Sequence, residues 1–127
     1  MKRRSLEQLR HAALRCMMVK TRAWELGRIL GEIETRFGRD GWVPITRAHC
    51  ARSWFGPKYF SQHVLVSSEF GREDVDRWGV HKCVIVYRAG KFGRREVALE
   101  SMRAGMTVRD LEAIALGCLR EERSRAA

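Results

Sequence analysis

Between Gly41 and Ser68 the chain carries Arg47, Arg52 and Lys58, two histidines (His49, His63) and the aromatics Trp42, Trp54, Phe55, Tyr59 and Phe60, and no aspartate or glutamate. A second acid-free window, Arg77 to Arg95, holds Arg77, Lys82, Arg88, Lys91, Arg94 and Arg95, six cations in 19 residues. Guanidinium and ammonium groups left without acids beside them suit phosphate oxygens. Hydroxyl and amide side chains such as Tyr59, Ser61 and Gln62, together with His63, suit the edges of bases. The whole chain points the same way: 25 Lys and Arg against 15 Asp and Glu give a net charge of +10 over 127 residues. That balance favours polyanionic partners, DNA or RNA before an anionic membrane.

Other chemistries find little support. No phosphate-binding glycine loop of the GxxxxGK[ST] or GxGxxG kind is present, no HExxH, and no serine or cysteine with a nucleophile elbow, so an enzyme is not expected. His49-Cys50 and His81-x-Cys83 bring metal-ligating types close in sequence, but structural zinc sites use wider pairs such as CxxC; neither metal nor cofactor is expected. Cys16, Cys50, Cys83 and Cys118 stand alone and read as reduced, buried thiols of a cytoplasmic, nucleoid-associated protein. The Arg-rich start is not read as a presequence, because its apolar pattern runs on into the next segment. No apolar run reaches membrane-spanning length.

The elements that must position these side chains are helical by pattern, so the expected fold is all-α: a helix-turn-helix domain with a long N-terminal helix, in one domain over 1–127 with a frayed tail at 120–127. Ser5 and Gln8 form a capping box ahead of Leu6. Leu6, Leu9, Ala13 and Met17, then Ala23, Leu26, Leu30, Ile33 and Phe37, make one apolar stripe. It fits one helix of roughly 30 residues or two broken near Lys20-Thr21, packed either on a second copy of the chain or on its own core. Across 43–69, Pro44 suits a first helical turn, Gly56 a helix end and Pro57 the start of the next helix, the punctuation of a helix-turn-helix. In its second helix Phe60 and Val64 mark the buried side. Cys83 to Tyr87 reads either as helix or as a β-branched strand; the second reading gives a winged helix with a β-hairpin at 83–99. Helices are preferred, because Arg94 to Met102 is rich in helix formers. Thr107 with Asp110 caps a last helix carrying Leu111, Ile114, Ala115 and Cys118.

Several of these residues carry a resemblance. Ala23-x-Glu25-Leu26-Gly27-Arg28-x-Leu30, Phe37-Gly38, Gly41-Trp42 and Trp54-Phe55-Gly56, followed by Trp78-Gly79-Val80-His81-Lys82 and Gly105-Met106-Thr107-Val108-Arg109-Asp110-Leu111, resemble the helical DNA-binding modules of bacterial plasmids and phages. ParB-type partition proteins are loosely similar. The motifs are short and span about 20–115, and Pro57-Lys58 stands where a small residue is usual and His81 where serine is common. The resemblance implies a non-enzymatic regulator or maintenance protein that binds double-stranded DNA. Lys58, Tyr59, Ser61, Gln62 and His63 are the expected readers and Arg47 and Arg52 contact flanking phosphates. Lys82, Arg88, Lys91, Arg94 and Arg95 hold an adjacent backbone or minor groove, and the N-terminal helix offers a homodimer contact. Two other readings stay open: an RNA- or ribosome-binding protein, and a small phage or plasmid protein that grips a host protein through that helix.

Overall fold

The computed structural model describes residues 3–19, 22–45 and 57–115. These form helices and turns, with no strand among them. The chain divides into two compact units, Met1–Asp76 and Arg77–Ala127.

The first unit opens with α1 (Leu6–Met17), started by the expected capping box: Ser5 Oγ accepts from the Gln8 amide at 3.2 Å and Gln8 Oε1 from the Ser5 amide at 2.8 Å. The apolar stripe is split, not continuous. Past Met17 the chain turns with short i→i−3 bonds, Val19 N–H to Cys16 O and Arg22 N–H to Val19 O, and α2 (Ala23–Phe37) begins afresh. A single N-terminal helix therefore does not form. The stripes pack largely on the chain's own core, with Leu9, Ala13, Leu30 and Ile33 fully buried and Phe37 at the end of the second left exposed, so α1 needs no second copy to cover it.

α2 has no side-chain cap of its own. Its first turn is held from afar, where the Trp24 amide donates to Asp76 Oδ1 at 3.0 Å and the Trp24 indole donates to the Phe70 carbonyl at 3.2 Å. A carboxylate suits that position, because the amides at a helix start are unpaired and carry the positive end of the dipole. Gly38 ends α2 with φ 78°, and a 3-10 turn over Arg39–Trp42 swings Trp42 inward. The Trp42 indole donates to the Leu30 carbonyl at 3.0 Å and meets the Phe60 ring edge-on, centroids 6.0 Å apart. Such a pair adds about 0.5–1.5 kcal/mol beyond the area it buries.

Residues 43–45 are helical; 46–56, and with them the corner at Phe55-Gly56, lie outside the described residues. α3 (Pro57–Glu69) begins at the proline, as its fixed φ favours, and lies against α2. The approach is close at Gly27: a side-chain carbon there would collide with Ser67 Oγ and the His63 carbonyl. Ser67 Oγ donates to the Trp24 carbonyl at 2.9 Å, locking the two helices at that point. α4 (Arg72–Trp78) supplies Asp76, whose other oxygen is 3.4 Å from Arg72 Nε.

In the second unit Gly79, at φ 90°, leads into α5 (Val80–Gly90), followed by α6 (Arg95–Arg103) and a helix over 108–115, here α7. The apolar run at 83–86 is helix, so the winged-helix alternative with a hairpin at 83–99 is set aside. Val80, Cys83, Val84, Ile85, Val86 and Ala89 are all buried, so α5 is covered around most of its circumference. Burial on that scale outweighs the small helix penalty of β-branched residues. Gly93, at φ 71°, makes the tight turn into α6, and Thr107 Oγ1 accepts from the Asp110 amide at 3.3 Å as the α7 cap.

Candidate nucleic-acid interface

α3 has two faces. Phe60, His63, Val66 and Ser67 are buried, and Val64 packs against the same core. Lys58, Ser61, Gln62, Leu65 and Ser68 follow one another at helical spacing on the other side, exposed or half-exposed. The first acid is Glu69, at the very end of the helix. Lys58 is exposed in the first turn of α3, where the helix dipole disfavours a cation. The face thus offers an ammonium, a hydroxyl and an amide within two turns, which are donors and acceptors for phosphate and base edges.

Two expected readers are placed differently. His63 is only 2% exposed and sits inside the unit, so it cannot reach a base from there. It belongs to the i, i+3, i+4, i+7 set with Phe60, Val64 and Ser67 that packs on α2. Its Nδ1 donates to the Tyr59 carbonyl at 3.0 Å, and burial pushes its pKa below the ordinary imidazole value, so the ring is held neutral. Tyr59 is half-buried and packed against the core, its ring centroid 4.3 Å from that of His63, and desolvation raises its pKa. Arg47 and Arg52, with His49, Cys50, Trp54 and Phe55, lie outside the described residues, as does Cys118.

The five cations of the second unit expected at the interface, Lys82, Arg88, Lys91, Arg94 and Arg95, are put to different uses. Arg88 and Lys91 are exposed near the end of α5, one turn apart, and Lys91 Nζ lies 5.6 Å from the Tyr87 ring centroid. Both are available to a phosphate. Lys82 is half-buried with Nζ 5.6 Å from the Trp78 ring, a contact that leaves its ammonium at the surface. Arg94 is structural: its Nη1 donates to the Ile114 carbonyl at 3.1 Å and ties the α5–α6 turn to α7. Arg95 is half-buried, its side chain lying along Gly90, and is engaged within the protein. Arg88 and Lys91 are therefore the two of this group that are exposed.

A groove of the first unit, about 730 Å³, runs beside Gly27, Gly31 and Ser68 and brings arginines and glutamates together. Arg36 on its wall is engaged twice, 3.5 Å from Glu32 and 2.7 Å from the Arg4 carbonyl, so the groove is not a cationic cradle. Cys16 and Cys83 are buried free thiols, and burial followed by the charge of Glu25 raises the Cys16 pKa. Among the described residues no three His, Cys, Asp or Glu side chains are grouped to hold a metal ion, and no helix is long and apolar enough to cross a membrane.

Gly27 and Asp76 set the orientation of α3 and α2, a role not expected of either from the sequence. Gly27 had a local signal, being a glycine in the middle of an apolar helical stripe, which marks a close approach. Asp76 had none, since the amide it caps is 52 residues away. No protein-family model, no curated protein and no solved structure matches this chain.

Proposed function

We propose that the protein is a non-enzymatic, sequence-preferring DNA-binding protein of the regulator or plasmid- and phage-maintenance kind, acting in the cytoplasm on the nucleoid. The observation that carries this reading is the outward face of α3, where Lys58, Ser61, Gln62 and Ser68 stand opposite a fully packed side and no acid intervenes before Glu69. A helix held rigidly by one side and polar-cationic on the other is what the major groove admits. In this reading Gln62 and Ser61 meet base edges, and Lys58 meets a phosphate beside them. Arg88 and Lys91, and Arg47 and Arg52 from the sequence, add phosphate contacts that fix register without reading sequence. The net charge of +10 supplies the long-range attraction. A homodimer through the α1 stripe is not part of the proposal, because that stripe is already buried.

The test is selection of bound duplexes from a random pool, with single-stranded DNA and structured RNA as competitors at matched salt. Enrichment of a short motif, resistant to both competitors, is the expected outcome. A pool that stays random after repeated rounds, or binding displaced first by RNA, contradicts it.

A further inference from the structure

A second cationic surface lies on the same unit, along the outer side of α1; Arg4 at its near end also borders the groove beside Ser68. Arg4, Gln8, His11 and Arg15 follow one another at spacings of four, three and four residues, and together with Glu7 and Ala12 they line one shallow groove of about 460 Å³. The sequence reading assigned α1 to a homodimer or a host protein, and none of these side chains to nucleic acid.

We infer that this groove is a second polyanion-binding surface, a track for the sugar-phosphate backbone of duplex DNA; the inference rests on the DNA-binding reading above. Three observations lead to it. First, Arg4, His11 and Arg15 make no ion pair among the described residues, and the arginines are exposed. The one acid in the groove, Glu7, is 3.9 Å from Arg10, whose guanidinium turns away to donate to the Gly41 carbonyl at 2.9 Å. Second, the packed side of α1 is spent: Leu9, Ala13 and Cys16 are buried in the core, and only Met18 and Val19 just past its end are exposed, too little apolar surface for the helix to lie in a bilayer. Third, the length fits. The helical part, from Gln8 to Arg15, spans roughly 10 Å at helical rise, along which one strand of duplex presents about three phosphates, with Arg4 reaching further beyond the N-cap. Gln8 has its carbonyl oxygen committed to the Ser5 amide, which leaves its NH2 as a further donor for a phosphate oxygen.

Binding is read by fluorescence anisotropy on two duplexes of equal length, one carrying the selected motif and one scrambled, between 50 and 200 mM salt. The wild-type protein is compared with Arg4→Ala/Arg15→Ala, with Glu7→Gln and with Lys58→Ala. The double variant should flatten the log–log salt slope by about two. It should lose affinity equally on both duplexes and keep the wild-type preference ratio. Glu7→Gln, which removes the one opposing charge and no packing, should bind both duplexes more tightly; this gain guards against a loss caused by misfolding. A double variant with the wild-type slope, while Lys58→Ala flattens its own, overturns this inference and leaves the α3 reading standing. Failure of the wild-type protein to bind either duplex overturns both. Loss of phosphatidylserine vesicle binding by the double variant, with DNA binding unchanged, overturns it in favour of a membrane surface.

Discussion

Gly27→Ala removes no polar group and changes no charge, yet it should be among the most damaging substitutions on the surface between α2 and α3. The added carbon would overlap Ser67 Oγ and, more seriously, the His63 carbonyl, which is backbone and cannot rotate aside. Overpacking of this kind costs about 1–3 kcal/mol. Displacing Ser67 also loses its bond to the Trp24 carbonyl, worth about 1 kcal/mol. Replacing glycine by alanine inside a helix returns about 1 kcal/mol, so the net loss is roughly 1–3 kcal/mol. On a unit of this size that lowers Tm by on the order of 10 °C. Gly31, one turn along the same helix, is the control: a carbon there meets only Val64 Cγ1, at 3.5 Å. Gly31→Ala should therefore be neutral or stabilising by up to about 1 kcal/mol. Urea titration of both variants by circular dichroism reads the difference. Equal stability of the two would refute the close approach of α2 and α3, and with it the orientation given to the outward face of α3.

Three further outcomes follow from the same contacts. Burial depresses the His63 pKa below its free value of 6.5, so the unfolded chain takes up the proton first. This contribution is complete above that value and is lost as pH falls toward the folded pKa. His63→Gln should flatten the pH dependence of unfolding below neutrality, and an unchanged profile counts against a buried neutral ring. Asp76→Ala removes the remote cap of α2 and should destabilise the first unit by about 1 kcal/mol in a denaturant titration; no change would mean that the Trp24 amide has another partner. Arg94→Ala should lower thermal stability through the lost Ile114 contact and leave the salt slope of DNA binding alone, whereas Arg88→Ala should flatten that slope by about one and leave Tm alone. The reverse pattern would exchange their roles.

What the sequence made legible was mostly local. The caps at Ser5 and Thr107, the start of α3 at Pro57 and the buried stripe through Leu9, Leu30 and Ile33 all follow from residues within a turn or two of one another. The run at 83–86 was ambiguous because a short apolar stretch has no period to betray it; the surroundings of α5 decide the matter. His63 was misplaced for a different reason. It is three residues after Phe60 and four before Ser67, so the helical period already put it on the packed side, but its polar ring suggested otherwise. Arg94 looked like its neighbours Lys91 and Arg95, and only the tertiary partner 20 residues on distinguishes it. The cation groove of α1 was written in the spacing of Arg4, His11 and Arg15, but the apolar stripe on the opposite side drew the reading first.

The most direct measurement compares Gln62→Ala and Lys58→Ala on the selected duplex and on a set with each base pair changed in turn. Gln62→Ala should erase discrimination at one position, by about 1–3 kcal/mol, and leave the others intact. Lys58→Ala should weaken every duplex alike. Discrimination that survives at every position in Gln62→Ala, with uniform affinity retained in Lys58→Ala, would show that DNA is not read by the outward face of α3.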